Sequence, residues 1–167
     1  MPTLDFPFAD FPQMKYPLED NVAENKATEQ AILDQVRGII HQRRDEVKAL
    51  FVKYEKVLND KLKKKTKLLI KGRPVAGMII EPIQAEGGDR SATDDFYRGL
   101  RQLALEENVY FICDEVQTGG GVSGKWWAHE HWNLETPPDI VTFAKKMNSA
   151  GFYYRSGTEL NQLFNPN

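Results

Sequence analysis

Val75-Ala76-Gly77-Met78-Ile79-Ile80 and, a helix-length later, Val109-Tyr110-Phe111-Ile112-Cys113 are two short apolar runs whose spacing decides the fold. Each is too short for a core helix and reads as a buried strand. Between them, Thr93 supplies an N-cap hydroxyl and Asp94 and Asp95 place negative charge in a first helical turn. Phe96, Leu100, Leu103 and Ala104 follow at helical spacing, giving one apolar face. Strand, crossover helix and strand predict a right-handed βαβ unit with parallel strands. A third strand is expected at Ile140-Val141-Thr142-Phe143. The fold class is therefore α/β, with no internal repeat visible.

Upstream of this core the pattern changes. Pro2, Pro7, Pro12 and Pro17 recur at a spacing of five, with Phe6, Phe8, Phe11, Tyr16 and Leu18 between them. Proline at that density excludes helix and central strand, and the aromatics predict an extended arm laid on another surface over 1–21. Asn21-Val22-Ala23-Glu24 resembles a capping box. A helix is expected from about 22 to 60, with Ile32, Val36, Ile39 and Ile40 among its apolar positions and a break at Gly38 or Arg43-Arg44-Asp45. The helical segment and a basic linker occupy 22–73, the α/β core 74–154, and a divergent tail 155–167. Lys61, Lys63, Lys64, Lys65, Lys67, Lys71 and Arg73 crowd the linker. The run lacks interleaved aromatics and the chain carries a net charge of -2, so a solvated linker is expected and no nucleic-acid partner. With 41% hydrophobic and 28% charged residues the composition is globular, and no apolar run approaches a membrane span. The single cysteine, Cys113, has no internal disulfide partner. Met1-Pro2-Thr3-Leu4-Asp5 reads as neither a secretory signal nor an Arg-rich transit peptide.

Charged groups stand just beyond each strand: Glu81 and Glu86 after the first, Asp114 and Glu115 after the second, Lys145 and Lys146 after the third. Open α/β sheets bind ligands at that edge. Strand ends are also polar simply because they meet solvent, so this pattern alone leaves a site and a solvated edge both open. His129-Glu130-His131 lacks the i, i+4 spacing of a helical zinc site, and no metal is expected there. Trp126, Trp127 and Trp132 are expected as core or interface anchors.

Three ordered phrases carry a family resemblance. Glu81-Pro82-Ile83-Gln84-Ala85-Glu86-Gly87-Gly88-Asp89, Phe111-Ile112-Cys113-Asp114-Glu115-Val116-Gln117-Thr118-Gly119 and Thr142-Phe143-Ala144-Lys145-Lys146-Met147 resemble successive motifs of the class III aminotransferases. The separation of Asp114 from Lys145 also matches. Gly124 to Trp132 and Phe11 to Glu19 are similar to the branch of that class that acts on 4-aminobutyrate; an ornithine or β-alanine branch is the alternative. The resemblance covers about residues 4–45 and 74–154. It implies part of a fold type I large domain, pyridoxal 5'-phosphate as cofactor, an amino donor and a 2-oxo acid as small-molecule partners, a homodimer, and no membrane partner. It implies the mitochondrial matrix, with the cytoplasm as alternative.

The residue roles implied by that resemblance are specific. Lys145 is the lysine that takes the cofactor's aldehyde, Asp114 the carboxylate facing the ring nitrogen, Gln117 the amide at the phenolic oxygen, and Glu86 the gating glutamate for the second substrate's carboxylate. Glu115 is expected in a structural ion pair instead. The family's phosphate-binding loop, stacking aromatic and substrate arginine would fall upstream of Met1, as would the cysteines of an iron–sulfur cluster found in some relatives. Residues 46–72, Asn148-Ser149-Ala150 and the tail depart from the family pattern. A fragment with little activity alone is therefore expected, with a non-catalytic subunit that acts by interaction as the alternative.

Overall fold

The computed structural model describes residues 7–55 and 75–157. The basic run at 61–73 and the last ten residues lie outside them. Helix α1 spans Val22–Glu55, β1 Gly77–Ile80, α2 Asp94–Glu107, β2 Tyr110–Asp114, β3 Ile140–Phe143 and β4 Gly151–Tyr154. Short 3-10 turns occupy Ala128–Trp132 and Lys145–Met147.

The four strands lie in the order β1-β2-β3-β4. β1 pairs with β2 and β2 with β3 in parallel, as the two buried runs predict. β4 pairs antiparallel with β3 and was not expected; its aromatics Phe152, Tyr153 and Tyr154 follow Gly151 directly. The ring of Phe143 would stand 3.0 Å from a Cβ at Gly151, so a side chain there would press on that ring where the two strands meet.

α2 forms as its sequence predicts. The Thr93 side chain accepts from Phe96 N–H, and Asn108 in the left-handed region ends the helix. Phe96, Tyr97, Leu100 and Ala104 pack on Phe111, Cys113 and Val141, with Trp132 stacked on Tyr97 at 4.1 Å. Strand alternation puts Met78, Ile80, Phe111, Cys113 and Val141 on this inner face. The opposite face carries Ile79, Ile112 and Ile140 in register, with Tyr154 beside Ile140.

α1 runs unbroken through Gly38 and through Arg43-Arg44-Asp45, contrary to the expected break. Gly38 is exposed and nothing lies near its Cα, so its cost to the helix is conformational only, roughly 1 kcal/mol. The expected capping box is also replaced. The Asn21 amide donates to Pro17 O, and Glu24 pairs with Lys15. The arm is held to α1 by paired bonds: Lys15 N–H to Asn25 Oδ1 at 2.7 Å and Asn25 Nδ2 to Lys15 O at 2.9 Å. Phe11 meets Phe96 edge to face.

Asp139 locks the sheet to α2. It accepts from Arg101 at 2.7 and 3.2 Å, from Phe111 N–H at 2.9 Å and from Arg155 at 2.9 Å. Burial raises its pKa, but these donors outweigh burial and hold it below the ordinary 3.8.

Candidate functional site

Because β1, β2 and β3 are parallel, Glu81, Asp114 and Lys145 emerge at one sheet edge. Strand alternation then separates Asp114 from Glu115. Asp114 continues the Ile112 face and pairs in register with Thr142. Glu115 follows Cys113 toward the core and is fully buried.

Asp114 is held through one oxygen. Its Oδ1 accepts from Val116 N–H at 3.0 Å and from the Thr142 hydroxyl at 2.9 Å. Its Oδ2 has no partner among the described residues.

Glu115 is saturated. It accepts from the Thr118 hydroxyl, from Ala128 N–H at 3.1 Å, from His129 N–H at 2.8 Å, and stands 2.9 Å from His129 Nδ1. Burial raises its pKa, but the His129 and Thr118 side chains and the two amides bring it below the ordinary 4.5. This is the structural pairing expected of Glu115. It closes the loop from Gly119 to Trp127 back onto the strand end.

Cys113 Sγ, a Glu115 oxygen and a His129 nitrogen lie within 4.8 Å of one another. The Glu115 lone pairs already meet four nitrogen and hydroxyl groups, the Cys113 thiol also donates to Oε1 at 3.9 Å, and burial pushes that thiol's pKa well up. That donor set suits a neutral thiol and a hydrogen-bonded carboxylate, not a cation. His131 is likewise engaged, with Nε2 3.0 Å from Ser123 O.

Gln117 and Glu86 stand in the turns after β2 and β1; Gln117 is half-buried and Glu86 exposed. Neither side chain makes a hydrogen bond or ion pair among the described residues. The β1 turn is braced by Ala85 N–H to Glu81 Oε2 at 3.1 Å and by Gln84 N–H to Arg90 O at 2.8 Å. The loop after Gln117 reaches the lysine segment: a Cβ at Gly120, where φ is +82°, would lie 3.3 Å from Met147 Sδ and 3.6 Å from Lys146 Cβ.

Lys145 opens a 3-10 turn with φ +49°, a left-handed conformation that its side chain disfavours. Lys146 is not among the positive-φ residues. Backbone strain of this kind costs about 1–3 kcal/mol and clusters at functional sites. It separates the two lysines on grounds that their types and order do not give.

A carboxylate with one oxygen unpartnered among the described residues and a strained lysine in the turn just past the next parallel strand thus share an edge with a half-buried glutamine and an exposed glutamate. The profile of the family described as Aminotransferase class-III matches residues 51–165. The chain belongs to the class III aminotransferases. The matched range takes in both the 51–72 and 155–165 stretches that read as departures. Among curated relatives, the 4-aminobutyrate aminotransferase, mitochondrial, of Homo sapiens is 47% identical over 155 residues, covering 93% of this chain and 26% of that protein. The 4-aminobutyrate aminotransferase of Dictyostelium discoideum is 46% identical over 154 residues, covering 92% and 26%. Among solved structures, the lysine aminotransferase from M. tuberculosis superposes with a TM-score of 0.70 at 28% identity, covering 98% of this chain and 30% of that one. This class III chain therefore spans about a quarter of the length of the curated relatives it matches.

Sequence reading singled out Asp114, Glu115, Gln117, Glu86 and Lys145 as candidates, and the structure places all five in the turns and strand ends at the carboxyl edge of the sheet. Sequence reading missed Thr142 and Thr118, whose hydroxyls hold the two carboxylates. Only Thr118, three residues from Glu115, left a signal in local spacing; Thr142 is 28 residues from Asp114 and reaches it through strand register.

Proposed function

We propose that this class III segment is the cofactor-lysine portion of a 4-aminobutyrate aminotransferase, which moves the amino group of 4-aminobutyrate to 2-oxoglutarate and gives succinate semialdehyde and glutamate. The carrying observation is Asp114, whose Oδ1 accepts from Val116 N–H and from the hydroxyl of Thr142, three residues before Lys145, while its Oδ2 has no partner among the described residues. Identity supports the substrate: 47% and 46% to the 4-aminobutyrate enzymes of Homo sapiens and Dictyostelium discoideum.

The residues fit pyridoxal 5'-phosphate. An anchored carboxylate with one unsatisfied oxygen suits a protonated ring nitrogen, and burial of its strand strengthens that pairing. When bound, the cofactor supplies an electron sink for the bond-breaking step. Lys145 would hold the cofactor's aldehyde and carry the proton between substrate carbon and cofactor. Asp114 would keep the ring nitrogen protonated. Gln117 would donate to the phenolic oxygen. Glu86, exposed and without an ion pair among the described residues, would move aside for the second substrate's α-carboxylate. A homodimer and a matrix location accompany this reading; some relatives are named mitochondrial and others carry no such qualifier.

Borohydride reduction of the chain saturated with pyridoxal 5'-phosphate tests it. Peptide mapping is expected to find pyridoxyl on Lys145 in preference to other lysines. Lys145→Ala removes that label, and Lys146→Ala leaves it. Label concentrated on Lys146, or no preferred lysine, refutes the assignment.

A further inference from the structure

We propose that Thr142 is a positioning residue for Asp114, orienting the carboxylate so that Oδ2 faces the ring nitrogen of the cofactor; this rests on the cofactor reading above. Thr142 sits in register with Asp114 on the neighbouring parallel strand. It engages the end of β2 twice. Its carbonyl accepts from Glu115 N–H at 3.0 Å, and its hydroxyl donates to Asp114 Oδ1 at 2.9 Å.

The position asks for a β-branched side chain of valine shape, and Thr142 meets that shape while adding a hydroxyl. A half-buried hydroxyl needs an acceptor, and the carboxylate provides it. Val116 N–H comes to the same oxygen from the following turn at 3.0 Å. Two donors on one oxygen, from different elements, stop rotation of the carboxylate about its terminal bond. The other oxygen is left in a fixed direction. Val116 N–H alone would anchor Oδ1 from one side only, and the carboxylate could then swing and exchange its oxygens.

Thr142 also lies three residues before Lys145 on the same strand and turn. The hydroxyl therefore couples the group that serves the ring nitrogen to the segment that serves the aldehyde. These are the two ends of a single rigid ring, so their separation must be held.

The test uses the 167-residue chain and pyridoxal 5'-phosphate carrying 15N at its ring nitrogen. Wild type, Thr142→Val, Thr142→Ser and Asp114→Asn are compared by cofactor titration, by the 15N chemical shift at neutral pH and by circular dichroism. Thr142→Val is expected to keep the fold, weaken uptake about tenfold, the worth of one hydrogen bond to a charged group, and move the 15N signal toward the unprotonated position. Thr142→Ser should restore both. Asp114→Asn should show the larger form of the same shift.

The failures separate. No uptake by wild type, or a wild-type signal in Asp114→Asn, overturns the cofactor reading and this inference with it. Uptake and shift in Thr142→Val equal to wild type, with Asp114→Asn still impaired, overturn the inference alone. So does equal impairment of Thr142→Ser and Thr142→Val. If Thr142→Val unfolds, Thr142→Ala is measured in its place, and unfolding of both overturns the inference, because the residue is then structural.

Discussion

At the residue scale, two adjacent acids have opposite fates because a strand turns successive side chains to opposite faces. Asp114 and Glu115 are both legible in the sequence as strand-end carboxylates, and the family phrase assigns them. What the sequence does not carry is who holds them, because Thr142 and Thr118 become partners only through strand register and loop closure. Glu115 is fully buried against four donors. Glu115→Ala is expected to cost about 3–5 kcal/mol, since it leaves those donors unpaired in the core; urea denaturation measures this. The pH dependence follows from the same bonds. Burial raises the pKa of Glu115 and Asp139, but their donors hold both below the ordinary 4.5 and 3.8. The unfolded chain therefore binds protons first. The stabilisation is complete above about pH 4.5 and is lost as pH falls through the depressed folded values. Urea midpoints should stay level from pH 7 toward 5 and drop below that. A Glu115→Gln, Asp139→Asn double variant should be less stable at neutral pH and show a shallower acid slope.

At the element scale, α1 and α2 run in the same direction and are pinned at both ends. Glu29 accepts from Thr93 N–H and the Thr93 hydroxyl, each at 2.8 Å, at the start of α2. At the other end Glu107 meets Arg44 at 2.8 Å, His41 at 2.9 Å and Arg37 at 3.3 Å. An acid at a helix C-terminus opposes the helix dipole, and the Arg37 and Arg44 guanidiniums offset it. Thr93→Ala removes the cap and the cross-helix bond together. It is expected to lower stability by about 1–2 kcal/mol in thermal or urea melts. Glu29→Ala should lower it as well, and the double variant should cost less than the sum, because both act through one contact. The cap, the helix and all three parallel strands were legible from local pattern. The unbroken passage of α1 through Gly38 was not, because tertiary anchors on both sides override a local propensity. β4 was not legible either: it returns along β3 directly after the lysine turn, and its register against β3 is set by a close approach of Gly151 to the Phe143 ring that local pattern does not show.

At the scale of the whole molecule, one face of the sheet is packed and, among the described residues, the other is only partly covered. α2 covers Phe111, Cys113 and Val141, whereas Ile79 is 62% and Phe152 49% exposed on the far face, beside Ile112, Ile140 and Tyr154. Parallel sheets are ordinarily covered on both sides. Asp114 and Thr142 lie at the carboxyl end of that far face, so the candidate site and the open apolar surface are continuous. Two consequences follow for the 167 residues on their own. Turnover of 4-aminobutyrate with 2-oxoglutarate is expected to be orders of magnitude below that of a complete enzyme. Orientation and binding can supply about 7–11 kcal/mol of rate enhancement, and the chain spans 26% of the human relative's length. A coupled succinate semialdehyde assay reads this, and turnover near that of full-length relatives would contradict it. The open face, for its part, should make the chain associate with rising concentration, because large exposed apolar patches seek cover. Ile79→Thr with Phe152→Thr puts β-branched, strand-compatible residues at both positions while removing much of the exposed apolar area. Ile79 gives up little burial within the chain and should cost no more than about 0.5 kcal/mol in urea denaturation, whereas Phe152 is only about half exposed and should cost about 1 kcal/mol, still short of a core truncation. Sedimentation should nonetheless show association shifted to higher concentration, and dye binding to apolar surface should fall. A wild-type chain that stays monomeric at all concentrations would refute the open face. So would a double variant that loses stability on the scale of a core truncation, since that would mean these side chains are already packed within the chain.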